Sequence, residues 1–91
     1  MSVRISELLD IENIVRDEVE DSVDNDGYAL VSYATVDCAA ERCGIELTWD
    51  GLVNVTKVVA KALADLGWQF ACECESGIWV NNWMYNEDVA F

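Results

Sequence analysis

The sequence contains no histidine and only five lysines and arginines in 91 residues. Without an imidazole no ordinary Ser-His-Asp or Cys-His nucleophile can be assembled. No glycine-rich phosphate loop is present either, so enzymatic chemistry has little to stand on and no catalytic residue is assigned. Eighteen Asp and Glu outweigh the five bases, leaving a net charge of −13. A chain so poor in clustered Lys and Arg will not grip a phosphate backbone, so direct nucleic-acid binding is excluded. Attraction to an anionic membrane surface is excluded for the same reason. No apolar run approaches the ~18 residues of a membrane span. The N-terminal region is acidic where a secretory signal is basic, so a cytoplasmic protein is expected.

What is present is enough apolar and aromatic content, 53% and 10%, for a folded domain rather than a disordered acidic tail. The length fits one domain over residues 1–91, with 86–91 read as a short acidic tail. Ile5, Leu8, Leu9, Ile11, Val15, Val19 and Val23 recur at three and four, predicting a helix over residues 5–23 with Ser6, or else Ser2, as its cap. Asp24-Asn25-Asp26-Gly27 then turns the chain. Tyr28 to Asp37 is apolar on both alternating faces and is read as a central strand. Cys38 to Gly44 is a connection with room for one helical turn, and Ile45 to Trp49 a second short strand.

From Asp50 the pattern is clearest. Leu52, Val55, Val59, Ala62, Leu63 and Leu66 form an apolar stripe, with Asn54, Lys57, Lys61 and Asp65 opposite. Asp50 stands where an N-cap belongs and Gly67 where a left-handed stop belongs. Trp68 to Glu75 alternates with strand period, and Ser76-Gly77 is read as a two-residue turn. That turn pairs Cys74 with Trp79, Cys72 with Asn81, Phe70 with Trp83 and Trp68 with Tyr85. It gathers five aromatic rings and two sulfurs on one face, which is expected to meet the second helix. The predicted architecture is α+β: helix, strand, strand, helix, strand, strand, as an antiparallel sheet with both helices on one face.

Half of the charge lies on less than a third of the chain, since residues 1–26 carry −7 and the remainder −6. Asp17/Glu20, Glu18/Asp21, Asp21/Asp24, Asp17/Asp21 and Glu20/Asp24 are like-charge pairs at helical spacing. Together they cost the helix roughly 1–2.5 kcal/mol, and they crowd the end where the helix dipole favours cations. Violations of local preference of this kind are expected at functional sites. From Asp10 to Asp26 the net charge is −7. As a helix that span is about 24 Å, or one charge per ~3.4 Å, which is also the spacing of phosphates along one strand of B-DNA. The plain reading of the same feature is a solvated face, or adaptation to high salt.

With carboxylates such as Asp17, Glu18, Glu20, Asp21 and Asp24 on a helix, the chain resembles the small acidic proteins by which phages disable host DNA-binding defences, the anti-CRISPR and anti-restriction DNA mimics. The resemblance lies in size, charge style and the lack of an enzymatic motif. It implies a basic, nucleic-acid-binding host protein as partner, inhibited by occupation of its binding surface. The partner-binding candidates are Asp10, Asp17, Glu18, Glu20, Asp21, Asp24 and Asp26, with Glu73 and Glu75 of the hairpin. An acidic interaction or oligomerisation module without mimicry is the alternative, and the oligomeric state is open.

No cofactor or metal is expected. Cys38-x4-Cys43 with Cys72-x-Cys74 supplies four thiols, but neither spacing resembles a glycine-containing zinc knuckle. Disulfides are disfavoured in a cytosolic chain, and buried free thiols are expected. Asp24-x-Asp26-Gly27 fits no calcium loop, because position twelve falls on Tyr33. The second hairpin face, with Glu73, Glu75, Ile78, Val80, Asn82 and Met84, is either a protein-binding patch or a surface covered by the first helix or a second copy.

Overall fold

A computed structural model describes residues 4–86, without the side chains of residues 83, 85 and 86. Six elements follow in order: α1 (Ile5–Ser22), β1 (Asp26–Ser32), α2 (Tyr33–Arg42), α3 (Trp49–Ala64), β2 (Gln69–Cys74) and β3 (Gly77–Asn86). The strands form one antiparallel sheet in the order β1-β3-β2. The class is α+β, with three helices and three strands in place of two and four.

α1 is held by Ile11, Val15 and Val19, which recur every four residues and are fully buried. Ile5 and Leu9 belong to the apolar periodicity but stand exposed. The cap is neither Ser6 nor Ser2, which lies outside the described residues. The N-cap is Arg4, whose backbone N–H donates to the Glu7 carboxylate at 3.1 Å.

The strand expected over 28–37 stops at Ser32. The Ser32 hydroxyl accepts the Ala34 N–H at 3.2 Å and caps α2. Val36, Ala39 and Ala40 then fall at i, i+3 and i+4 and are buried. Tyr33, Thr35 and Val36 favour strands intrinsically, but packing overrides that preference. The strand expected over 45–49 does not form: residues 45–48 are irregular, Ile45 is buried, and Trp49 already opens α3. Thr48, not Asp50, caps α3, its hydroxyl accepting the Gly51 N–H at 3.1 Å. Asp50 lies in the first turn, where a carboxylate suits the dipole. Gly67 stops the chain as expected, with φ of 96°.

In the hairpin, Cys74 pairs with Gly77, leaving Glu75-Ser76 as the turn. Cys72 therefore lies opposite Trp79, not Asn81, and Cys74 does not meet Trp79. A bulge at Ala71 follows, so Phe70 pairs with Val80 and not with Trp83. β2 begins at Gln69, which pairs with Asn81, so Trp68 lies just before the strand instead of opposite Tyr85. β3 extends to Asn86, and the remainder of the expected tail, residues 87–91, lies outside the described residues.

The faces also differ from expectation. Ala29 and Val31 of β1 pair with Val80 and Ile78 of β3, and all four are buried beneath the helices. With Asn82, they form the covered side of the sheet. The row of Cys72, Trp79 and Leu30, with Tyr28 and Asn81 beside it, occupies the opposite face. The aromatic and sulfur-bearing side thus points away from the helices. Of the expected aromatics whose side chains are described, only Trp68, just before β2, enters the core as expected; the side chains of Trp83 and Tyr85 lie outside those described. Asn82 is satisfied there: its amide donates to the Leu66 carbonyl at 3.5 Å and its oxygen accepts the Met84 N–H at 3.1 Å.

Phe70 is 64% exposed, so it is not the core residue that the aromatic pattern suggests. Phe70→Ala should therefore cost less than about 1 kcal/mol, far below the ~3–5 kcal/mol of a buried aromatic. Equilibrium urea denaturation checks this, and a loss in the buried range would place Phe70 in the core.

Candidate functional site

The packing of α1 decides which of its carboxylates face outward. At 100° per residue, Asp10, Asp17, Glu20 and Asp21 fall on the side opposite Ile11, Val15 and Val19. All four are exposed. They span twelve residues, about 16 Å of helix from the first Cα to the last. Arg16, the only base in this segment, is turned off that stripe. It lines a groove of ≈ 190 Å³ between α1 and the end of α3, with Glu12 and Asp65. The stripe carries no base; the neutral, exposed Asn13 lies between Asp10 and Asp17.

Other candidates separate from it. Glu18 is exposed but lies on the α2 flank, lining a groove of ≈ 290 Å³ with Ile14, Cys38 and Arg42. Asp24 is engaged locally, because its Oδ1 accepts the backbone N–H groups of Asp26 and Tyr28, each at 2.9 Å. This fixes the turn into β1. The side chain of Asp26 is exposed beside it, where β1 begins opposite Asn86. Glu73 and Glu75 are at the other end of the sheet, because Gly77 pairs with Ser32 at the end of β1. Six residues of strand, about 20 Å, separate the two ends. The nine candidates form no single surface; Asp10, Asp17, Glu20 and Asp21 do.

The mixed acidic and apolar hairpin face does not exist as a free patch. Ile78, Val80 and Asn82 are buried under the helices, leaving Glu73 and Met84 exposed at its margins. In its place, Phe70 and Ile78 line a groove of ≈ 300 Å³ with Ala60 and Ala64 of α3, rimmed by Lys57, Lys61 and Glu73. Spacing on α3 foretells the lysines, but the bulge that brings Phe70 beside them leaves no mark in the sequence. The cysteines are not buried as expected: Cys38, Cys72 and Cys74 are exposed and Cys43 is half-buried, all as free thiols.

Among the described residues no cluster of three or more Cys, Asp or Glu is arranged to hold a metal ion, and no helix is long and apolar enough to cross a membrane. No protein-family model, curated protein or solved structure matches the chain.

Proposed function

We propose that the protein binds a basic surface of another protein, one that normally holds nucleic acid, and blocks it with the outer face of α1. The observation that carries this reading is the acidic stripe of Asp10, Asp17, Glu20 and Asp21, exposed along one side of a helix whose other side is locked into the core. A rigid element presenting like charges in series is what a phosphate-binding cleft is built to receive. The like-charge repulsion within α1 opposes stability, and a binding role accounts for its presence. Opposite potentials would steer the encounter and set the association rate. The resemblance to phage DNA mimics makes a host defence protein in the cytoplasm the partner of choice. Binding, not catalysis, is the activity.

Capture from a host lysate, identification of the bound protein and association kinetics over a range of salt test the reading. The captured protein should be basic, should lose its nucleic acid in the complex, and should associate about tenfold or more slowly at high ionic strength. A partner that keeps its nucleic acid in the complex, or binds at a salt-independent rate, would contradict it.

A further inference from the structure

β2 is an edge strand, and all six of its residues are exposed. Its outer backbone groups are a template for another strand. Cys74 and Gly77 flank the two-residue turn and so take a hydrogen-bonded position. The alternation of an antiparallel ladder then turns the N–H and C=O of Glu73 outward, while Cys72 and Cys74 address β3. Both thiols fall on the helix-free side with Trp79, the Glu73 side chain on the other.

We propose that two copies pair through β2 about a two-fold axis at Glu73, and that Cys72 and Cys74 of both copies bind one thiophilic d10 cation of the zinc class. The strand parity makes this specific. If the two Glu73 residues exchange backbone hydrogen bonds, Cys72 of each copy stands opposite Cys74 of the other. These are non-hydrogen-bonded positions, with Cα atoms about 4.5 Å apart. Four sulfurs then converge on one face, and a tetrahedral ion with metal–sulfur bonds of ~2.3 Å is the group that four thiolates take. One chain supplies only half the ligand set, and a two-fold axis completes it with an identical half.

Charge decides what holds the pair. Each chain carries −13, so bulk electrostatics oppose association. Locally, each facing Glu73 lines a groove together with Lys57 and Lys61, which sets positive charge on the same side of the sheet as the two carboxylates. The cation supplies the remaining drive. In binding, one divalent ion replaces the four thiol protons, giving a dianionic tetrathiolate and four protons in solution. Affinity therefore rises with pH.

The full chain, reduced and stripped of metal, is titrated with zinc, and in parallel with cobalt(II) as a spectroscopic probe. Light scattering should show the mass doubling as one metal binds per two chains, and cobalt should give thiolate-to-metal charge-transfer bands. Cys72→Ser with Cys74→Ser should abolish both while leaving the circular dichroism unchanged, since both side chains are exposed. Cys38→Ser with Cys43→Ser should alter neither. No retained metal, one metal per monomeric chain, a dimer that persists without metal, or loss in the Cys38/Cys43 variant would each overturn the proposal.

Discussion

Trp68→Ala should cost about 3–5 kcal/mol and lower the melting temperature by more than about 12 °C. Trp68 is 1% exposed and is the largest fully buried side chain among the described residues. It enters the core directly after the Gly67 stop, where its backbone N–H donates to the Leu63 carbonyl at 3.1 Å and closes the end of α3. Truncation leaves a cavity at the junction of helix and sheet, which the surrounding elements can fill only partly. A small domain has a total stability of roughly 5–15 kcal/mol, so the loss is a large share of it. Thermal unfolding followed by circular dichroism measures the effect. Beside the mild Phe70→Ala, it separates two aromatics two residues apart on burial alone. A fall of only a few degrees would place Trp68 outside the core.

Gly77→Ala should be nearly as damaging, by about 2–4 kcal/mol. Gly77 has φ of 149°, and an added Cβ would stand 2.1 Å from the Val31 carbonyl oxygen and 3.0 Å from the Ser32 Cα. Both neighbours are backbone of β1, the strand paired with Gly77, so the clash can be relieved only by moving strands apart. Gly44→Ala is the control: its φ is also positive, at 76°, but nothing lies within 4 Å of an added Cβ. That variant carries backbone strain without collision, about 1–2 kcal/mol. Chemical denaturation of the two variants should show the difference, and equal losses would mean that strain alone accounts for Gly77.

α1 and α3 are legible in the sequence because their apolar residues repeat over about four turns or more and Gly67 marks a stop. The hairpin is legible as a hairpin but not in its register. The turn falls one residue earlier than the sequence suggests, at Glu75-Ser76, and this displaces the partners of Cys72 and Cys74 by two residues. That displacement preserves parity, so Cys72, Cys74 and Trp79 do share a face. The bulge at Ala71 then sends Phe70 to the other side. Aromatic content is a poor guide to which face meets the helices. Ala29, Val31, Ile78 and Val80 line the core instead, and their compact shapes allow close approach of the helices. α2 is hidden behind β-forming residues, and its signals, the Ser32 cap and the Val36, Ala39 and Ala40 spacing, are short.

Of the candidate site, the concentration of charge on α1 is legible, but its division is not. The packing of Ile11, Val15 and Val19 assigns Asp10, Asp17, Glu20 and Asp21 to one outer face and Glu18 to a flank. The hydrogen bonds of Asp24 make it part of a turn. A variant that tests the face should therefore leave Asp24 intact.

The most direct measurement compares the wild-type protein with Asp10→Asn, Asp17→Asn, Glu20→Gln and Asp21→Asn combined, for both unfolding and binding to the captured basic partner. These changes keep side-chain size and remove the like-charge pairs Asp17/Glu20, Asp17/Asp21 and Glu18/Asp21 that lie within α1, so the unfolding midpoint should rise slightly. Association with the partner should slow by about tenfold or more at low salt. A stabilised protein that no longer binds separates a functional surface from damage to the fold, because a misfolded variant would lose both properties. Unchanged association kinetics in this variant at low ionic strength would remove α1 from the interface and contradict its proposed role.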